Sequence, residues 1–231
     1  YASFRDSPSR ALLERMGFTR KSEVFPDNAY SRDVPSIERG TLGRSQTVVG
    51  LAPMSFCDPR LVPRLDSRRY QDYVHKIGAF GSWLLDNSYR VTLFCSDISV
   101  DPPVIGDVQE LLRNDDGGLA RVHQWTTQEL LENMSSMDYV VTSRFHAVVF
   151  AHMLNIPVLA ISSHHKVSAL MDDLGLSEYC VDIDVCDSKL LAETFSRLVK
   201  NRDEVKRRMS EKLVDYRTKL SIQFDGLFPH E

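Results

Sequence analysis

Arg144, His146, His165 and Lys166 are residue types that can hold an anion and move a proton. Arg144 stands in Ser143-Arg-Phe-His146, directly after the β-rich run Asp138–Thr142. An arginine at a strand-to-helix turn offers a planar fork of donors that suits phosphate or carboxylate, and the positive end of the next helix adds to its field. The competing reading is an ion pair with a neighbouring carboxylate such as Asp138. His146 falls in the first helical turn and titrates near neutral pH, so it can serve as acid or base; the alternative is a histidine filling space under a sheet. Ser162-Ser-His-His-Lys166 follows a second β-rich run, Pro157–Ile161. Lys166 there is either a compact cation for the same anion or a solvated lysine at a helix start, and His164 and His165 are lesser contacts. His152 lies deeper on the same helix and reads as structural, while His75 falls off an apolar stripe and reads as exposed.

These residues need a frame that brings separated loops together. Residues 147–154 are apolar around nearly the whole helical circumference, as a helix covered on several sides must be. Asn155 is placed to close that helix, and Pro157 cannot continue it. Upstream, Gln46–Ala52 and Arg90–Cys95 read as strands. Tyr70, Tyr73, Val74, Ile77, Phe80, Trp83 and Leu84 recur at helical spacing, with Asp66 as a cap. Val104–Arg113 reads as a helix, Asn114–Gly118 as a turn and Ala120–Val122 as an edge-like strand. Thr126 or Thr127 caps a helix running to Met134. Tyr179–Asp182 is a last strand, followed by helices over Asp187–Lys200 and from Asp203 to about Leu220, broken near Asn201. Strands alternating with helices predict an α/β fold with a doubly wound, mostly parallel sheet flanked by helices. Ligands of such sheets lie beyond the carboxyl ends of the strands, where Ser55, Asp97, Arg144, His146 and the His165-Lys166 pair would meet. Asp97 is more simply a loop-capping carboxylate. No G-x-G-x-x-G follows the first strand, Walker A is absent and no Cys/His cluster has metal spacing, so neither a cofactor nor a metal is expected.

The stretch from Val141 to Gly175 resembles the polysaccharide pyruvyl transferase family. Val141-Thr-Ser-Arg-Phe-His-Ala147, Ile156-Pro-Val158, and Lys166 followed by Leu170 and Asp173-Leu-Gly175 carry the resemblance. Arg5-Asp6, Ser9, Met16-Gly17 and Val24-Phe-Pro-Asp27 resemble a second family element, with Ser7 as cap of its helix. The resemblance implies transfer of a pyruvyl group from phosphoenolpyruvate to sugar hydroxyls of a polysaccharide or glycan precursor, forming a pyruvate ketal. It implies a Rossmann-like carboxyl-terminal lobe of a GT-B-like fold. Carried over residue by residue, it makes His146 catalytic and Arg144, Lys166, Arg5 and His165 the phosphoenolpyruvate contacts. The implied partners are that donor and a glycan, or a lipid- or nucleotide-linked sugar, as in exopolysaccharide or other cell-surface glycan synthesis. Two alternatives stay open. One is a nucleotide-sugar glycosyltransferase lobe, with Asp182 or Asp184 gripping a ribose. The other is a sugar- or anion-binding module without turnover.

Composition sets bounds on this reading. The chain has 231 residues, 42% hydrophobic and 26% charged, enough for a sizeable core. A net charge of −4, from 28 basic and 32 acidic residues, argues against a nucleic-acid coat. No apolar run reaches the roughly 18 residues of a membrane span. Cys57, Cys95, Cys180 and Cys186 are read as free thiols in a reducing compartment, and the expected location is cytoplasmic or peripheral to a membrane. Residues 1–45 are expected to be an inter-lobe segment and linker, and 46–231 the catalytic lobe. The first residue, Tyr1, and the lack of a signal pattern suggest that an upstream lobe is missing.

Overall fold

The computed structural model describes residues 2–34, 46–61, 67–112, 118–121 and 126–228. Six strands form one parallel sheet: β3 (Val48–Ala52), β4 (Arg90–Leu93), β5 (Leu119–Arg121), β6 (Tyr139–Thr142), β7 (Val158–Ser162) and β8 (Cys180–Asp182). Their spatial order is β5-β4-β3-β6-β7-β8, and every adjacent pair is parallel. The chain thus winds outward from β3 in one direction and from β6 in the other. Right-handed crossovers in opposite senses put the connecting helices on opposite faces. On one face α2 (Ser67–Asp86) packs against α3 (Pro102–Leu111) and α7 (Ser188–Lys200). On the other, α5 (Phe145–Met153) packs against α6 (His165–Asp173) and α8 (Arg202–Leu227). The helix α4 (Thr127–Ser135) precedes β6 and carries a capping box, Thr126 with Glu129.

The expected strands and helices are present within a few residues of their predicted ends. Asn155 closes α5 in the left-handed region, at φ 50°. Asn201 separates α7 from α8, and α8 runs seven residues beyond the expected Leu220, to Leu227. Two local expectations are corrected. The cap of α1 (Ser7–Arg15) is Asp6, whose Oδ1 accepts from Ser9 N at 2.6 Å, so Ser7 lies inside the helix. Asn28 begins a short 3-10 helix, Asn28–Ser31, rather than featureless linker, because Tyr30 plunges into the core. The expected linker over 35–45, the cap Asp66, the turn residues 114–117, and Arg113 and Val122 lie outside the described residues.

A second, smaller parallel sheet pairs β1 (Ala2–Phe4) with β2 (Ser22–Val24) across α1. The rest of the chain holds it. Gln223, near the end of α8, donates to Ser3 Oγ at 3.1 Å. Between the two sheets, Tyr30, His152 and Tyr216 stack edge to face. His152 Nε2 lies 2.8 Å from the Met209 carbonyl, which can only accept, so Nε2 carries the hydrogen. Its Nδ1 then accepts from the Tyr30 hydroxyl at 2.9 Å. The sequence reading of His152 as structural agrees with this geometry.

Burial holds the His152 pKa down, to about 4 against an ordinary 6.5. The unfolded chain therefore takes up a proton at a pH where the folded chain does not. Stability from this group is complete above about pH 6.5 and is lost as pH falls toward 4, by about 3 kcal/mol. Urea unfolding at pH 7 and pH 4.5 is expected to show this loss, and His152→Gln to flatten it. An equal slope in the variant would remove His152 as the cause.

Candidate functional site

The strand order reverses between β3 and β6, the point of a parallel sheet beyond whose carboxyl ends ligands bind. Backbone and side chains knit that point together. Thr142 Oγ1 reaches the Ala52 carbonyl at 3.2 Å and accepts from Arg144 N at 3.1 Å. The hydroxyl of Tyr73, fully buried on α2, accepts from Met54 N at 3.1 Å and lies 2.9 Å from Ser143 Oγ.

Arg144 extends from this point toward β4. Its Nε and Nη2 donate to the two oxygens of Asp101 at 2.8 and 2.5 Å, and Nη1 lies 3.7 Å from Asp97 Oδ2. Asp101 is completely buried and also accepts from Ser55 N at 3.0 Å. Burial opposes the Arg144 charge, but the hydrogen bonds and charge of Asp101, with Asp97, raise its pKa above the ordinary value. The suggested partner Asp138 is engaged elsewhere, accepting from Val48 N at 2.9 Å. Asp97 caps its own loop, with Oδ1 accepting from Ser99 N at 3.2 Å and Oγ at 2.6 Å. Ser55 is tied down as well, donating to the Val100 carbonyl at 2.7 Å. Asp101 had no signal of its own in the sequence beyond a position before Pro102 at a helix start.

Arg144 is the N-cap of α5, yet no side chain caps this helix. Every residue of α5 is buried except His146. His146 packs beside Phe145 and Phe150 and lines a hollow of about 360 Å³ with Cys95, Ser96, Ile98 and Thr126. The Cys95 thiol in that hollow is pushed up by burial and by Asp101, which disfavours a thiolate nucleophile.

Phe145 faces the other way. Arg5 lies over its ring at 4.6 Å and Lys166 at 5.9 Å, in a cleft of about 440 Å³ between the small sheet and α6 and α8. Arg5 also pairs with Asp27 at 3.3 Å. His164 caps α6, its Nδ1 accepting from Lys166 N at 3.4 Å, and its ring lies 4.2 Å from that of His165. The His164 pKa is lowered by burial, then by His165, Lys166 and Arg5, with Asp6 opposing; Asp6, Asp27, Asp172 and Asp173 also line the cleft. The structure therefore does not gather the candidates into one crevice. Arg5 and Lys166 share the Phe145 cleft, with His165 exposed at its edge. Arg144 lies at the reversal of strand order and His146 in a separate hollow, all around the amino end of α5. Among the described residues no group of acidic, histidine and cysteine side chains could hold a metal ion.

The family model for polysaccharide pyruvyl transferase matches residues 1–165, which includes both the Arg5 element and the Arg144–His146 turn. The chain belongs to the polysaccharide pyruvyl transferase family. No curated protein matches it significantly. Among solved structures, it is similar to a UDP-GlcNAc 2-epimerase from Neisseria meningitidis, solved bound to UDP-GlcNAc. The two share 12% identity over 98% of this chain and 60% of that one, with a TM-score of 0.63. It is also similar to TarM, at 13% identity over 97% of this chain and 42% of that one, with a TM-score of 0.57. These likenesses establish the fold, a Rossmann-like lobe of GT-B type, and the chain spans less than two thirds of either neighbour.

The scaffold beneath the Arg144 turn can be tested alone. Tyr73→Phe leaves the Met54 N–H and the Ser143 hydroxyl without their shared buried partner. A loss of about 1–3 kcal/mol is expected in chemical denaturation. Unchanged stability would mean that water or a rearrangement serves those groups.

Proposed function

We propose that this chain is the catalytic carboxyl-terminal lobe of an enzyme that moves the pyruvyl group of phosphoenolpyruvate onto sugar hydroxyls of a polysaccharide or glycan precursor, closing a pyruvate ketal. One observation carries the reading: cationic and proton-carrying side chains surround a helix amino terminus that no side chain caps. Arg144, Arg5 and Lys166 offer fixed positive charge there, and His146 is the exposed member of a buried helix. A doubly anionic donor suits such a field.

The proposed chemistry balances without a cofactor. The vinyl carbon takes a proton, and a sugar hydroxyl attacks the carbon bearing phosphate and gives up its own proton in exchange. Phosphate leaves, a second hydroxyl closes the ketal, and that hydroxyl's proton goes to the departing phosphate. His146 is the proposed carrier of these protons. Arg144, with Lys166, Arg5 and His165, is proposed to hold the donor. The proposed setting is cytoplasmic or peripheral to a membrane; among the described residues no helix is long and apolar enough to cross one.

A partner lobe is part of the proposal. The small sheet has only two strands, and Leu12, Leu13 and Met16 leave an apolar face of α1 exposed. Two-stranded sheets are marginal alone, and such a face suits further packed chain. Residues 1–45 then form the inter-lobe segment. The nucleotide-sugar alternative would use Asp182 or Asp184. Asp182 Oδ1 accepts from Asp184 N at 2.8 Å, and Asp184 pairs with Arg69.

Titration of the chain with phosphoenolpyruvate and with UDP-GlcNAc, followed by turnover with mixed sugar acceptors, tests the proposal. Phosphoenolpyruvate is expected to bind weakly, and more weakly still as salt rises, without turnover by residues 1–231 alone. Arg144→Lys is expected to weaken that binding about ten- to a hundredfold, because the charge stays but the fork is lost. In an enzyme carrying both lobes, His146→Gln is expected to slow the chemical step by about 10²–10⁴-fold. Tight binding of UDP-GlcNAc with none of phosphoenolpyruvate would overturn the reading. Ketal formation by this chain at a normal enzymatic rate would overturn the need for a partner lobe.

A further inference from the structure

The hollow that His146 lines differs in charge from the Phe145 cleft. Ala29 of the short 3-10 helix, Ser96 beyond β4, Thr127 at the start of α4, and His146 with Phe150 on α5 build its walls. No Asp, Glu, Lys or Arg is among its described lining residues. The Phe145 cleft, in contrast, is lined by charges of both signs. The hollow's volume of about 360 Å³ falls within the roughly 300–1,000 Å³ usual for small-molecule sites.

Three polar groups on these walls are unused. Among the described residues, the Ser96 and Thr127 hydroxyls and the His146 ring make no hydrogen bond. Thr126 beside them is committed, its Oγ1 accepting from Glu129 N at 3.1 Å. Hydroxyls and a neutral imidazole each donate and accept, which matches the hydroxyls of an uncharged sugar. The His146 and Phe150 rings lie stacked, 6.2 Å apart at 27°. The electron-rich face of an aromatic ring is a surface on which the C–H groups of a sugar ring can pack. An anion finds no opposite charge here to offset the loss of its water. The hollow also adjoins the Arg144 turn through two loops. Ser96 precedes Asp97, whose Oδ2 lies 3.7 Å from Arg144 Nη1, and His146 follows Arg144 by two residues.

We propose that this hollow is a subsite for a neutral sugar unit, the unit whose hydroxyls receive the pyruvyl group, held by Ser96, Thr127 and His146. Its role as acceptor subsite rests on the pyruvyl-transfer reading; the binding of a neutral sugar does not. The uncharged lining selects neutral sugars over acidic ones.

The test is titration of the chain, carrying isotope-labelled histidine, with methyl β-galactoside, methyl α-mannoside, methyl β-glucoside and glucuronate at constant pH and ionic strength. Nuclear magnetic resonance follows the His146 ring, whose signal is assigned by its loss in His146→Gln. At least one neutral glycoside is expected to shift that signal saturably in the millimolar range, and glucuronate to bind more weakly. Thr127→Trp fills the hollow and is expected to abolish the shift. Ser96→Ala is expected to weaken binding about two- to tenfold, the loss of one hydrogen bond. Thermal unfolding checks that each variant keeps its fold. No shift of His146 with any neutral glycoside would overturn the subsite, as would an undiminished shift in folded Thr127→Trp or tighter binding of glucuronate than of every neutral glycoside. Phosphoenolpyruvate titrated into the wild-type chain tests the underlying reading separately. A glycoside at His146 with no binding of phosphoenolpyruvate would overturn the acceptor role and leave a neutral-sugar site standing.

Discussion

A buried carboxylate, Asp101, holds the site together. A charge removed from water is costly unless paired and hydrogen-bonded, and removing one member of such a pair typically costs about 3–5 kcal/mol. Asp101 meets that condition by drawing in groups from two other loops, Arg144 beyond β6 and Ser55 N beyond β3. The loops at the reversal of strand order are thus tied together by a polar constraint. The same constraint orients Arg144, whose Nε and Nη2 are both engaged.

The helix that follows is shaped by the opposite requirement. α5 is covered by the sheet on one side and by α6 and α8 on the other, so its sequence is apolar all round. A buried helix still has an amino terminus with unpaired N–H groups. Here Arg5 and Lys166 lie over the ring of its first residue, Phe145, and His146 is the one exposed residue of the helix. Packing of the core and polarity of the site are two consequences of one placement. The Tyr30–His152–Met209 chain of hydrogen bonds extends this to the seam, because it ties the segment leading from the small sheet to both α5 and α8.

Membership of the polysaccharide pyruvyl transferase family and the GT-B-type lobe are separate findings. Folds of this architecture host many chemistries, so the epimerase and TarM speak to the scaffold alone. What distinguishes this lobe lies in its loops: a carboxylate-held arginine, a cation pair on one aromatic ring, and a histidine in a hollow of its own.

The sequence by itself determined the alternation of strands and helices, and hence the parallel sheet, because apolar period and helix stops are local properties. Asn155 after α5, Thr126 before α4 and Asn201 between α7 and α8 were legible for that reason. The Ser143–His146 turn was legible as a set of residue types. Tertiary structure alone decided how those residues are used. Asp101 lies 43 positions from Arg144, and nothing local marks it as the partner in preference to the nearer Asp138. Tyr30 looked like loop, since its burial depends on His152 and Tyr216, residues contributed by α5 and α8. The separation of Arg144, His146 and Arg5–Lys166 into three surroundings has the same cause. Adjacent residues at the start of a helix point in different directions, and only the elements packed around that turn determine what each one meets.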